Sequence, residues 1–232
     1  MKISIVIPTY EMHGNGASFL LANFQKIKYQ THTDFDIIIS DHSSDEEVKK
    51  LCDLWSHEFE IKYYKNIEDV GNSSANINNA LKYATGDIVK ILFQDDFLWN
   101  QDSLFEINNG FENNLEKHWL ISPCEHSKDG ETFYRTFIPK CDVESLSKGI
   151  NTISSPSVLS FLNKDIVFFD ENLIWMMDCD YYIMMHKKFG EPIILESVNV
   201  VNRIWEKQYN NLIPQSKKDE ETEYMKNKLN KK

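Results

Sequence analysis

The stretch "KILFQDDFLW", Lys90 to Trp99, sets two adjacent aspartates directly behind the apolar residues Ile91, Leu92 and Phe93. The apolar run reads as the end of a buried strand, and a buried carboxylate is costly unless paired, hydrogen-bonded or bound to a metal. Asp95 and Asp96 are therefore candidates for handling a cation, because hard oxygen ligands suit Mg²⁺ and Mn²⁺. Other polar groups sit at comparable places. Pro8, Thr9, Tyr10 and Glu11 close the run "KISIVIP", and Asp41 with Ser43 follows "FDIIIS". Asp178 and Asp180 lie in "MMDCDYYIMM", where a carboxylate at a helix start can accept a proton from a reacting hydroxyl. Each acid also has a plainer reading as a turn former or cap, and Asp41 can simply begin the cap of a helix near Ser44.

The elements that must position these groups alternate between two periods. "KISIVIP", "FDIIIS", "FEIKYY" and "DIVKILF" are short β-branched or aromatic runs, the pattern of buried strands. Between them, Ala17 to Tyr29, "SSDEEVKKLCDLWS" and "SSANINNALKYA" carry apolar residues at helical spacing, such as Val48, Leu51, Cys52 and Trp55. This β-α-β-α-β-α-β order predicts an α/β fold, a mainly parallel sheet flanked by helices. In such sheets ligands bind beyond the carboxyl ends of the strands, so the topology gathers the three acid-bearing ends at one edge.

The pattern loosens beyond Asn100. "NQDSLFEINNGFENN" predicts a helix, "HWLISPCEHSKDGETFYRTF" two strands around the turn signal Asp129-Gly130, and "SSPSVLSFLNKD" another strand. "MMDCDYYIMMHKKFG" predicts a helix stopped by Gly190, with Asp178 near its start and kept ionised there by the helix dipole. Trp175 and the neighbouring methionines read as core. One domain is expected over residues 1–214, with a nucleotide-binding half (1–99) and an irregular acceptor half (100–214), followed by a charged tail over 215–232.

Composition bounds the rest. The net charge of −11 argues against a nucleic-acid partner, since phosphate recognition needs clustered Lys and Arg. No run is apolar and long enough for a transmembrane segment, and the opening strand is too short for a signal peptide. The 4 cysteines show no CxxC spacing, which points to reduced thiols in a cytoplasmic protein rather than to a zinc site or disulfide frame. His13, His42 and His186 have no metal spacing either and read as solvated or capping residues. The Gly-containing loop "HGNG" is short of a phosphate fingerprint.

In order and type, "ISIVIPTY", "IIISDHSSD", "GNSSANINNALKYATGDIVKILFQDD" and "FDENLIWMMDCDYYIMM" resemble the family 2 glycosyltransferases of GT-A fold. The resemblance runs over roughly residues 1–205 and is most specific in the first 97. It implies inverting transfer of a sugar from a nucleotide diphosphate sugar to a glycan, lipid-linked or small-molecule acceptor, by a cytoplasmic enzyme or one peripheral to the membrane. It also implies that Pro8, Thr9, Tyr10, Glu11, Asp41 and Asn76 meet the nucleotide. Asp95 would be the last aspartate of a DxD-like motif that binds Mn²⁺ or Mg²⁺, with Gln94 and Asp96 beside the donor. Asp178 would be the catalytic base. Arg203 in "VVNRIWEKQYN" reads either as a contact for the leaving diphosphate or as one partner of an exposed salt bridge. The motifs depart from the family pattern: Phe93 stands at the first acidic position of the metal motif, Ser40 replaces an acid before Asp41, and Met177 replaces a glutamate before Asp178. Those departures leave open a catalytically silent nucleotide-sugar-binding module. A sugar nucleotidyltransferase is the other alternative, although "PTYEMHGNGAS" lacks the basic residue its loop would need.

Overall fold

The structure, a computed structural model, describes residues 1–230, and of Tyr209 and Asn210 the backbone alone. Three βα steps and a fourth strand open the chain: β1 (Ile3–Thr9), α1 (Gly16–Ile27), β2 (Phe35–Asp41), α2 (Glu47–Trp55), β3 (Ile61–Lys65), α3 (Ser73–Leu81) and β4 (Ile88–Ile91). The second half adds β5 (Phe97–Leu98), α4 (Ser103–Glu112), β6 (Trp119–Ile121), β7 (Cys124–Ser127), α5 (Val143–Ser147) and β8 (Leu159–Leu162). It closes with α6 (Met177–Phe189), β9 (Ile193–Ile194), β10 (Val200–Arg203), α7 (Tyr209–Leu212) and α8 (Gln215–Asn230).

A seven-stranded sheet of order β3-β2-β1-β4-β8-β6-β9 forms the centre. β1 pairs in parallel with β2 and β4, while β8 runs antiparallel to both β4 and β6. All seven residues of β1 are buried, as expected for a strand covered on both faces. Alternation divides them: Ile3, Ile5 and Ile7 join Leu20, Phe24 and Ile37 on one face, while Val6 joins Ile38, Ile77 and Val89 on the other. Truncating one of these side chains, as in Phe24→Ala, should cost about 3–5 kcal/mol.

A smaller sheet, β5-β10-β7, stands beyond the tip of β4. The chain leaves the large sheet after Ile91 and enters the small one at Phe97, so Phe93 to Asp96 form the corner between them. The paired aspartates therefore occupy an inter-sheet corner.

One expectation changes in the second half, and two segments elsewhere are ordered by packing. β6 and β7 both precede the Asp129-Gly130 turn, and beyond it Phe133 and Phe137 make only isolated bridges to Ser127 and Cys124. The charged segment after residue 214 is the helix α8, which docks through fully buried Met225 and through Glu221, 1 % exposed. A helix pattern with so few apolar residues gives little sign of docking, because its contacts are mostly ionic. The "HGNG" loop is ordered by packing: a Cβ on Gly16 would stand 2.3 Å from the Tyr10 carbonyl oxygen, so only glycine allows α1 to start there.

Candidate active site

A cleft of about 570 Å³ opens at the carboxyl ends of β1 and β4, between the start of α3 and the start of α6. Its wall includes Pro8, Thr9, Tyr10, Glu11, Asn76, Gln94, Asp95, Asp96 and Asp178. Nine of the residues expected from the sequence thus share one cavity, although they come from four separated segments.

Hydrogen bonds to the backbone fix the β1 side of this wall. Thr9 Oγ1 donates to Asp41 Oδ1 at 3.0 Å, and the Asn76 amide donates to the Thr9 carbonyl at 3.1 Å. Gln94 spans the loops after β1 and β4: its Nε2 donates to the Gly16 carbonyl at 2.7 Å, and its Oε1 accepts from Tyr10 N–H at 3.0 Å. Glu11 accepts from Ser44 N–H and Oγ. Asp41 lies outside the wall, fully buried behind it. Its carboxylate accepts from Thr9, from the Ser43 amide and hydroxyl, and from the Tyr63 hydroxyl at 2.7 Å, with Lys65 Nζ at 3.5 Å. Its direct partners are protein groups, so it acts on the cleft through Thr9.

At the inter-sheet corner the two acids differ. Asp96 is 4 % exposed and saturated by the protein, with Oδ1 accepting from Arg203 N–H at 3.0 Å and Oδ2 from Ser155 Oγ at 3.1 Å. Asp95 is half-buried and accepts from the Trp205 indole N–H at 3.0 Å. Burial raises both carboxyls above their ordinary range, and the charge of Asp95 raises Asp96 further. Arg203 does not relieve them from within the cleft. Its guanidinium lies over the Phe19 and Phe97 rings, and its Nε donates to the Asp95 carbonyl at 3.0 Å. Two adjacent carboxylates held against water loss, without a lysine or arginine facing them in the cleft wall, fit a hard divalent cation. Asp95, whose carboxylate is the less encumbered, is the residue that would hold it.

The opposite wall carries Asp178, in the first turn of α6. Asn151 Nδ2 donates to its Oδ2 at 2.6 Å, and Cys179 N–H donates to its Oδ1 at 2.8 Å. The helix start was expected to keep it ionised, but burial outweighs these donors and pushes its carboxyl up to about 6. Nor does it cap the helix, whose N-cap residue Met176 has no side-chain capping bond. Glu221 on α8 instead holds the turn that leads into α6, its oxygens accepting from Ile174, Trp175 and Met176 N–H at 2.9–3.0 Å. Asp180 points away from the cleft and pairs with Lys228 at 2.8 Å.

Several participants carried no sequence signal. Trp205, Asn151, Ser155 and Glu221 reach their partners across long sequence separations, and single residues of these types follow no spacing rule. Trp175, read as core, is half-buried in the cleft wall. His42 lines the cleft at 6 % exposure rather than being solvated; its Nε2 has no hydrogen-bond partner among the described residues, and burial lowers its proton affinity.

The family model described as Glycosyl transferase family 2 matches residues 4–167. A GalNAc(5)-diNAcBac-PP-undecaprenol beta-1,3-glucosyltransferase of Campylobacter jejuni is 32 % identical over 98 residues, 42 % of this chain and 30 % of that protein. An uncharacterized glycosyltransferase of Rickettsia conorii is 27 % identical over 114 residues, 49 % of this chain and 18 % of its own length. The chain spans less than a third of either relative. Among solved structures, S. aureus TarS 1-349 in complex with UDP-GlcNAc superposes with a TM-score of 0.71 at 15 % identity, over 92 % of this chain and 62 % of that one. The mannosyltransferase PcManGT from Pyrobaculum calidifontis, in complex with GDP-Man and Mn²⁺, gives 0.65 at 16 % identity over 90 % and 58 %. The fold is the GT-A fold of these neighbours. A match that begins in β1, takes in both strand ends of the cleft and runs past β8 decides the family: the chain belongs to glycosyl transferase family 2.

Proposed function

We propose that this cleft transfers a sugar from a nucleotide diphosphate sugar to an acceptor hydroxyl, with inversion. The observation that carries the reading is the pairing of two unlike carboxylates in one cavity. Asp95 lies at the inter-sheet corner among adjacent acids, and Asp178 lies on the opposite wall with its proton affinity raised to about 6. A base of that strength is mostly ionised at neutral pH yet still takes a proton readily, the compromise that general-base catalysis favours. Asp178 would accept the acceptor's hydroxyl proton as its oxygen attacks the sugar, while the Asn151 amide holds the carboxylate in orientation. Displacement in a single step, from the face opposite the leaving group, inverts the anomeric centre.

Asp95 would bind a divalent cation, Mn²⁺ or Mg²⁺. When bound there, such an ion supplies a Lewis acid that neutralises charge on the departing diphosphate. The β1 end and Asn76, braced by Thr9 and Asp41, would receive the nucleoside, with the His42 ring in the wall beside it. The complexes of neighbouring structures with UDP, UDP-GlcNAc and GDP-Man support this donor class. The name of the Campylobacter relative suggests a lipid-linked acceptor, and the half-buried Ile174 and Trp175 and exposed Val70 give the cleft an apolar rim suited to one. Among the described residues no helix is long and apolar enough to cross a membrane. The test is release of nucleoside diphosphate from a panel of nucleotide sugars, with and without Mn²⁺. Release of inorganic pyrophosphate from a nucleoside triphosphate and sugar phosphate would point to a nucleotidyltransferase instead, and no turnover despite binding to a silent module.

A further inference from the structure

At the far end of α6, Gly190 adopts φ 75° and stops the helix, so that Glu191 folds back against its last turn. His186 Nε2 lies 3.0 Å from Glu191 Oε1. The segment leading into α5 brings Cys141 to the same corner. Its thiol, the imidazole nitrogen and the carboxylate oxygen all lie within 4.8 Å of one another. We propose that Cys141, His186 and Glu191 form a zinc site, with water as fourth ligand, that pins the start of α5 to the end of α6.

The chemistry of the donors selects the ion. Sulfur, imidazole nitrogen and carboxylate together suit Zn²⁺, whereas Mg²⁺ and Mn²⁺ prefer oxygen ligands. Zinc binds such atoms at about 2.0–2.3 Å, so small side-chain rotations complete a tetrahedral set from donors already this close. The C-terminal end of a helix also favours a cation. Cys141 and His186 are half-buried and Glu191 is exposed, which leaves the ion a route in from solvent. Zinc is bound by the thiolate, so binding at neutral pH displaces the Cys141 proton. This corner is distinct from the acid-lined cleft: His186 stands about two helical turns beyond Asp178, on the order of 12 Å along the axis. It connects to the cleft through α5, because the chain after α5 carries Asn151, the donor to Asp178.

Co²⁺ as a spectroscopic substitute for Zn²⁺ tests the site in the full chain after chelator treatment. One equivalent should give a thiolate-to-cobalt charge-transfer band and the visible bands of tetrahedral Co²⁺, both bleached by Zn²⁺. The bands should vanish in Cys141→Ser and His186→Ala, weaken in Glu191→Gln and persist in Asp95→Asn. Zn²⁺ alone should raise the melting temperature of the wild type but not of Cys141→Ser. Absence of the charge-transfer band in the wild type overturns the proposal, as does a band that survives Cys141→Ser. If Cys141→Ser fails to fold, His186→Ala decides in the same way, since retention of tetrahedral bands there excludes the site.

Discussion

A carboxylate whose proton affinity is raised to about 6 must lose its proton before it can serve as a base. Transfer should therefore rise with pH through about 6 and level off above it. Asp178→Asn should lower turnover by about 10²–10⁴-fold and abolish that pH dependence, with donor affinity unchanged. Stability carries the opposite sign. The folded-state value lies above the ordinary 3.8, so the protonated carboxyl contributes stability at low pH that is lost as pH rises through about 6. At pH 7 the Asn variant should then melt no lower than the wild type, which separates lost chemistry from lost fold. Across the cleft, Asp95→Asn removes a charge but little volume. Calorimetric titration should show that the Mn²⁺-dependent part of donor binding disappears, and an unchanged metal response would move the site to Asp96.

The elements behind these residues make predictions of their own. Glu221 on α8 holds the three amides that open onto α6. Glu221→Ala strips buried donors of their acceptor and should destabilise the chain by about 2–4 kcal/mol, with turnover falling more than donor affinity as Asp178 loosens. Equal melting temperatures of wild type and variant would show that α8 does not brace the site. Asp41 is an anchor of similar kind, and Asp41→Ala should lower the melting temperature as well as nucleoside diphosphate affinity, because Thr9, Ser43 and Tyr63 lose a shared acceptor. The strands and helices of the first half were legible because apolar periods of two and about 3.6 repeat over whole elements. The acids at their carboxyl ends were legible for the same reason, since topology alone carries them to one edge. What escaped was whatever depends on side-chain direction across long separations. Asp41 turned inward to Tyr63 and Ser43, Arg203 lay flat on Phe19 and Phe97, and Trp205, two residues further on, reached Asp95 instead. Sequence spacing also hid the Cys141, His186 and Glu191 corner, whose members meet only because Gly190 reverses the chain beside α5.

On the scale of the whole molecule, two sheets meet at the aspartate corner, and a C-terminal helix closes against the segment leading to Asp178 from the other side. Ligand in the cleft contacts both halves, so a donor with its metal should stabilise the chain as a unit. Such a ligand at a hundred-fold excess over Kd adds about 2.7 kcal/mol. The net charge of −11 makes a cation at the corner more valuable still, because a diphosphate approaches an acidic molecule. The most direct measurement is Mn²⁺-dependent release of nucleoside diphosphate from a nucleotide sugar in the presence of acceptor, with wild type, Asp95→Asn and Asp178→Asn run side by side. The predicted result is turnover by the wild type, loss of metal-dependent donor binding in Asp95→Asn, and intact donor binding without turnover in Asp178→Asn. Full turnover in Asp178→Asn, or turnover indifferent to metal and to Asp95, would contradict the assignment of the two carboxylates.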